Sequence, residues 1–357
     1  MRITIIPDKY LSEEEWKKAL KDQLGDLHNR VDISFQELKE THKIFTAKSE
    51  NGKIKEYLGK PSEVANLAKD TDILVVQFSP VSEKVFETAE NLKLVACNRS
   101  TPVNIDVQAA TKNNIPVINS PGRNADSVAD FTMGLILAEI RHIARSFEAV
   151  RNGTYPTCTE KWRKSIPELR GKTLGIVGFG KIGSKVAERA KGFGMDILGY
   201  DPFISEETMK IYEAKKVDLQ TLLKKSDFVS IHMRLTPQTT NLIGEKELNL
   251  MKETAFLINT SRGEVIDENA LYNTLMEKKL AGAALDVFIN EPIYKDPDNK
   301  FIHLNNVTFT PHIAGPSDDM FYRGACILAG DIARFIRGEK MQNVLNPDIY
   351  HHKQENK

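Results

Sequence analysis

Nearly every buried strand that the chain's apolar runs predict ends on a group able to do chemistry. Asp201, His232, Thr260-Ser261-Arg262, Asp286 with Glu291, and His312 each stand at or just after such a run. In an open parallel sheet ligands bind beyond the carboxyl ends of the strands, so these residues are expected on one edge. Arg262 is a fixed, always-charged fork suited to a carboxylate or a polarised carbonyl. His312 can pass a proton near neutral pH. Glu291, if beside it, would favour the imidazolium and fix its orientation. Each has a plainer reading alone: a solvated or ion-paired arginine, a loop histidine after Pro311, a Glu-Pro pair of ordinary loop chemistry. Together they are what proton and carboxylate chemistry on a hydroxy acid requires.

The element that would position them lies in mid-chain. An apolar run from Leu174 to Val177 enters Gly178-Phe179-Gly180-Lys181-Ile182-Gly183 and then the helix-forming Ser184-Lys-Val-Ala-Glu-Arg-Ala-Lys191. Gly178 permits a tight turn, Gly180 lets backbone N–H groups approach a pyrophosphate, and Gly183 lets helix and strand pack closely. The next strand, Asp196-Ile-Leu-Gly-Tyr200, ends on Asp201, at the spacing of the acid that holds an adenosine ribose. Strand, turn, helix and acid make a dinucleotide site, and beside it the trio suits hydride exchange between a nicotinamide and a 2-hydroxy acid.

The rest of the chain alternates strand and helix. Ser12-Glu-Glu-Glu15 has the form of a capping box opening a helix to about Leu24. Strands are expected at Val31 to Phe35, Ile73 to Phe78, Leu94 to Cys97 and Val117-Ile118, with a turn, as of a hairpin, at Asn51-Gly52. Asn124 caps a long helix expected from Asp126 to about Val150. Its Val128, Phe131, Met133, Leu135, Ile136 and Leu137 cover more circumference than one core face needs, as in a helix wedged between two domains or, on the sharper reading, one that also forms a subunit interface. Later strands are expected at Phe228 to His232, Ala255 to Asn259, Ala283 to Val287 and Val307 to Phe309, then a last helix, Asp318 to Ile336, and a polar tail from His351.

A chain of 357 residues suits two domains. The 49 Lys and Arg balance the 49 Asp and Glu, so no overall field draws in nucleic acid or an anionic membrane. No apolar run approaches the ~20 residues that span a bilayer. Cys97, Cys158 and Cys326 are scattered and odd in number, as in a reduced cytoplasmic protein without a structural metal.

Four stretches resemble the signatures of the NAD-dependent D-isomer specific 2-hydroxyacid dehydrogenases, a family that includes D-3-phosphoglycerate, glycerate and D-lactate dehydrogenases. They are Gly178-x-Gly-x-x-Gly183 with Asp201, Ile258-Asn-Thr-Ser-Arg-Gly-Glu-Val-Ile-Asp267, Ala284-Leu-Asp-Val-Phe-Ile-Asn-Glu-Pro292 and Thr310-Pro-His-Ile-Ala-Gly315. The likeness runs from about Ile73 to the end of the last helix. It implies an α/β fold of two Rossmann-like domains. Residues 123–316 would form a doubly wound NAD-binding sheet, and residues 1–122 with 317–357 a flavodoxin-like substrate domain. It implies that Arg262 binds and polarises the substrate, that His312 is the general acid/base, and that Glu291 is its partner. It implies cofactor contacts from Lys181, Ile182, Asp201, Thr260 and Asp286, and a homodimer through the 126–150 helix. The sequence also departs from the family. The substrate loop, usually glycine-bearing, reads Asn98-Arg99-Ser100-Thr101-Pro102-Val103-Asn104, so that Ser100 and Thr101 would offer the N–H groups for the substrate carboxylate. Arg99 there could serve a second anionic group or lie in a surface ion pair. Arg234 replaces a usual proline, and Asp201 would repel a 2′-phosphate, which favours NAD. Two other functions fit the pattern: an NAD-sensing regulator of corepressor type, and formate oxidation, against which Glu291 stands because the formate-oxidising relatives carry glutamine there.

Overall fold

Ile73-Leu-Val-Val76 and Leu94-Val-Ala-Cys97 are apolar at every position, and each forms a strand buried at all four residues. Runs of that kind belong to parallel sheets covered on both faces. The computed structural model describes residues 1–39, 53–155, 167–295 and 299–349. The chain divides into two units, Met1–Arg123 with Ser317–Lys357, and Asn124–Pro316.

The first unit holds β1 (Arg2–Ile5), β2 (Asp32–Phe35), β3 (Ile73–Val76), β4 (Leu94–Cys97) and β5 (Val117–Asn119), all parallel, in the order β2-β1-β3-β4-β5. This is the flavodoxin-like order. Ser12 and Glu15 close the expected capping box on the helix Glu13–Leu24. That helix buries Trp16, Ala19, Leu20 and Leu24 against Ala325, Leu328, Ala329 and Ile332 of the C-terminal helix Asp318–Arg337. Buried Asp331 then accepts from the backbone N–H groups of Gln342 and Asn343, and Asn346 Oδ1 accepts from Val117 N–H, so the segment beyond the helix is fastened to β5.

The second unit is a seven-stranded parallel sheet. Its strands are β6 (Thr173–Val177), β7 (Asp196–Tyr200), β8 (Ala214–Lys216), β9 (Phe228–Ile231), β10 (Phe256–Asn259), β11 (Gly282–Leu285) and β12 (Val307–Phe309). The order is β12-β11-β10-β9-β6-β7-β8, doubly wound, with the reversal between β6 and β9. β8 is a short Lys-rich edge strand without the apolar run that would announce it.

The long helix expected from Asp126 to Val150 is two helices, Ala125–Ile140 and Ile143–Arg151. His142 between them takes the left-handed conformation, φ 52°, which no glycine or proline foretells. Arg145 bonds across the break to Glu139 Oε2 at 2.5 Å and to His142 Nδ1 at 2.7 Å. The apolar surplus assigned to the first helix is absorbed within its own unit. Val128, Met133, Leu135 and Ile136 are buried, and Phe131 and Leu137 pack on the same core. It is the second helix that exposes Ile143, Phe147 and Val150. The expected turn at Asn51-Gly52, Cys158 and the tail from His351 lie outside the described residues.

Candidate active site

The glycine turn of the second unit fits a dinucleotide on local grounds. Gly178 has φ +94°, and a Cβ there would stand 2.8 Å from the carbonyl carbon of His232. At Gly180 a Cβ would meet open space, and Gly183 abuts the Gly178 carbonyl. The helix Lys181–Gly192 starts directly after Gly180, and no side chain caps it. First-turn N–H groups of a helix have no internal partners, so those of Ile182 and Gly183 suit phosphate oxygens. Asp201 sits at the end of β7, where its Oδ2 accepts from Phe179 N–H at 2.9 Å and its Oδ1 from Phe203 N–H at 2.8 Å. One carboxylate therefore braces the turn and still has lone pairs to offer beside it, a bracing that spacing alone does not reveal.

At the other side of the sheet, three loops are tied together by buried polar groups. After β10, Asn259 is 1% exposed; its Nδ2 donates to the Arg262 carbonyl at 2.8 Å and its Oδ1 accepts from Ser261 N–H at 3.0 Å. This fixes the turn on which exposed Arg262 stands. Thr132 donates its hydroxyl proton to the Val128 carbonyl, so Thr260 Oγ1, 3.1 Å away, donates to Thr132 and ties the end of β10 to the helix Ala125–Ile140. A Cβ on Gly263 would collide with the backbone of Phe288 and Ile289, which is why the Arg262 loop can lie directly on the loop after β11. That second loop carries Glu291, whose Oε1 accepts from Phe288 N–H at 3.0 Å.

Glu291 Oε2 lies 2.8 Å from His312 Nδ1. With that nitrogen donating to a carboxylate, Nε2 is the ring atom left to exchange a proton. His312 itself is at φ +55°. Asp286, 1% exposed, holds it there: Oδ1 accepts from Thr310 Oγ1 at 2.5 Å and Ile313 N–H at 3.0 Å, and Oδ2 from Ala314 N–H at 2.9 Å. Asp286 thus clamps the histidine loop, a function that its place in the Ala284-Leu-Asp motif does not advertise. The clamps at Asn259 and Gly263 were also missed, and only their place beside Arg262 could have signalled them.

In the first unit, Ser100 and Thr101 follow β4. Ser100 Oγ donates to the Ser120 carbonyl at 3.1 Å and the Ser100 carbonyl accepts from Asn119 Nδ2 at 2.7 Å. No bond among the described residues takes up the N–H of Ser100 or Thr101. The carboxyl edge here is a ladder of rings between two cations. The Arg99 guanidinium lies 5.1 Å over the Phe78 ring, Phe78 is 5.7 Å from Tyr10, Tyr10 stacks on Phe321 at 5.0 Å, and the Arg123 guanidinium lies 5.2 Å over Phe321. Arg99 also pairs with Glu56 at 2.7 Å. Burial pushes Asp8 up to about 6 and Arg123 down to about 10, so desolvation outweighs their mutual attraction.

The sequence was compared with known proteins. The family model described as D-isomer specific 2-hydroxyacid dehydrogenase, NAD binding domain, matches residues 133–314. A glyoxylate reductase of Korarchaeum cryptofilum is 43% identical over 282 residues, covering 79% of this chain and 84% of that protein. A D-3-phosphoglycerate dehydrogenase of Methanocaldococcus jannaschii is 42% identical over 290 residues, covering 80% of this chain but 54% of that longer protein. In fold, the NAD-complexed D-isomer specific 2-hydroxyacid dehydrogenase of Lactobacillus delbrueckii ssp. bulgaricus matches with a TM-score of 0.77 at 24% identity, covering 97% of this chain and 100% of that one. No helix among the described residues is long and apolar enough to cross a membrane. With its doubly wound sheet, phosphate-ready turn and these relatives, the chain belongs to the D-isomer specific 2-hydroxyacid dehydrogenase family, NAD-dependent oxidoreductases acting on the CH–OH group of 2-hydroxy acids.

Proposed function

We propose that Arg262, Glu291 and His312 carry the reaction and that the substrate is a short 2-keto acid without a phosphate, of the glyoxylate or hydroxypyruvate kind. The bond between His312 Nδ1 and Glu291 Oε2 carries the assignment of roles. It leaves Nε2 to give its proton to the ketone oxygen during reduction, and to take the hydroxyl proton during oxidation. Glu291 orients the ring and offsets the charge it gains or loses. The Arg262 guanidinium, on a turn braced by Asn259, holds the substrate carboxylate and polarises the carbonyl. In the first unit, Ser100 and Thr101, whose N–H groups are not taken up among the described residues, are the donors proposed for substrate. Bound NAD(H) supplies the hydride. Its diphosphate would rest on the turn of Gly178, Gly180, Lys181, Ile182 and Gly183, its adenosine ribose on Asp201, and its nicotinamide end near Thr260 and Asp286.

Arg99 has no free fork for a phosphate on the substrate. Its guanidinium is already taken by Glu56 through one ion pair at 2.7 Å and one bond to the Glu56 carbonyl at 3.0 Å. A panel of glyoxylate, hydroxypyruvate, pyruvate and 3-phosphohydroxypyruvate, scored by NADH consumption, tests this reading. Preference for the phosphorylated acid would overturn it, and absence of turnover with every keto acid alongside tight NADH binding would favour the regulatory function. The protein is further proposed to be a cytoplasmic homodimer. Ile143, Phe147 and Val150 lie one helical turn apart on an exposed face of Ile143–Arg151 and are 54–62% exposed, a stripe suited to a second copy.

A further inference from the structure

A dinucleotide crosses an open doubly wound sheet where the strand order reverses, here between β6 and β9. His232 is the first residue beyond β9, and its N–H bonds the Val177 carbonyl at the end of β6 at 2.8 Å. Its carbonyl carbon is the atom that a Cβ on Gly178 would strike. The residue therefore borders the glycine turn, at the lip over which the cofactor passes.

Its ring is held by one bond. Nε2 lies 2.8 Å from Ser230 Oγ, and either atom could be the donor. Nδ1 is buried and meets no partner among the described residues. Burial pushes the ring's pKa down to about 3, so it carries one proton, on one nitrogen or the other. If Nε2 held the proton, the Ser230 hydroxyl would lose its acceptor and Nδ1 would be an unmet acceptor, leaving two groups unsatisfied. If Ser230 donates to Nε2, the single unmet group is the Nδ1–H donor. A buried polar group left unmet costs about 1–3 kcal/mol, so the second arrangement wins. The chain thus keeps a neutral, oriented donor at the switch point with no acceptor of its own among the described residues.

We propose that His232 is a further cofactor-binding residue, whose Nδ1–H donates to an oxygen of the dinucleotide beyond its AMP half, on the second phosphate or the second ribose. A neutral donor there adds direction without adding charge, beside N–H groups that already hold the anion. Asp201 and the glycine turn position the adenosine half independently, so AMP alone would not feel His232.

Binding of ADP-ribose, NADH and AMP to the full apo chain, followed by calorimetry, tests the proposal. The parent chain's affinity for ADP-ribose and NADH tests the cofactor reading itself; the variants test His232. His232→Phe is expected to weaken ADP-ribose and NADH roughly tenfold, the worth of one hydrogen bond, and to leave AMP unchanged. His232→Asn, whose amide N–H falls near the place of Nδ1, is expected to recover most of the loss. Ser230→Ala, which releases the ring's proton to either nitrogen without touching the packing of His232, is expected to weaken ADP-ribose a fewfold and keeps the test open should the phenylalanine variant not fold. Affinities of the variants within twofold of the parent would overturn the proposal and assign the donor to a structural water. Equal losses in the Phe and Asn variants, or a matching loss for AMP, would also overturn it, because they would mark a packing role.

Discussion

The carboxyl edges of the two sheets are built on different principles. In the unit of residues 124–316, carboxylates and amides are paired to backbone N–H groups: Asp286 takes two such donors and a hydroxyl, Asn259 braces the Arg262 turn, and Glu291 accepts from Phe288 before it meets His312. In the other unit the edge is a stack of Phe78, Tyr10 and Phe321 between Arg99 and Arg123; both edges keep unmet buried polar atoms among the described residues, Asp8 Oδ2 and Gln77 Nε2 here and His232 Nδ1 there. The first arrangement ties side chains to backbone donors and acceptors, the kind of positioning that proton and hydride transfer demand. The second is held by stacked rings and cation–ring contacts in place of such clamps.

The sharpest way to break this contrast is at His312. If the clamped edge carries the chemistry, His312→Ala cuts kcat by a hundredfold or more while NADH binds as before, given the usual worth of general acid–base catalysis. Near-normal turnover would dissolve the difference between the edges. Arg262→Lys should follow with a smaller loss in kcat/KM, on the order of tenfold to a hundredfold, because an ammonium cannot reproduce the planar fork. Unchanged kcat and KM would remove the carboxylate from Arg262. Stopped-flow binding of NADH beside steady-state rates separates the two steps in both variants.

The same contrast explains what could be read in advance. In the nucleotide unit each chemical demand selects a residue type at a fixed place in a strand–turn–helix unit: a glycine where φ is positive, an acid after the next strand, a histidine after the last one. Gly178, Asp201, Arg262, Glu291 and His312 were therefore visible as spacing. What spacing hides is the support, since Gly263 and the Asp286 clamp take their meaning from contacts between loops after different strands, and the Asn259 brace from the folding of its own turn. The helix break was hidden for another reason. His142 takes its left-handed turn where Arg145, three residues on, bonds its ring and Glu139, a side-chain arrangement that no helix-breaking residue announces. In the other unit, Asp8, Phe78, Arg99, Arg123 and Phe321 come from five places in the chain. Each alone looks like an ordinary loop or helix residue.

A last and smaller effect sharpens the comparison through stability. Asp8 Oδ1 accepts from Tyr10 N–H at 2.9 Å, its Oδ2 is buried without a described partner, and burial raises its pKa from 3.8 to about 6. Because the folded value lies above the unfolded one, the folded state binds the proton more tightly. Its contribution to stability is fully present below 3.8 and is lost as pH rises through about 6. At pH 7.5 the charged Asp8 is thus a net burden, eased in part by Arg123. Asp8→Asn keeps an acceptor for Tyr10 and removes the charge, so it should stabilise the protein by about 1 kcal/mol at pH 7.5, a rise in Tm of roughly 2–4 °C. The gain should fade between pH 6 and 4, where the parent's carboxyl is itself neutral. Thermal melts of both proteins across that range decide it. A lower Tm for the variant at pH 7.5 would mean that the Asp8–Arg123 attraction outweighs burial, and the edge of the first unit would then be as firmly paired as that of the second.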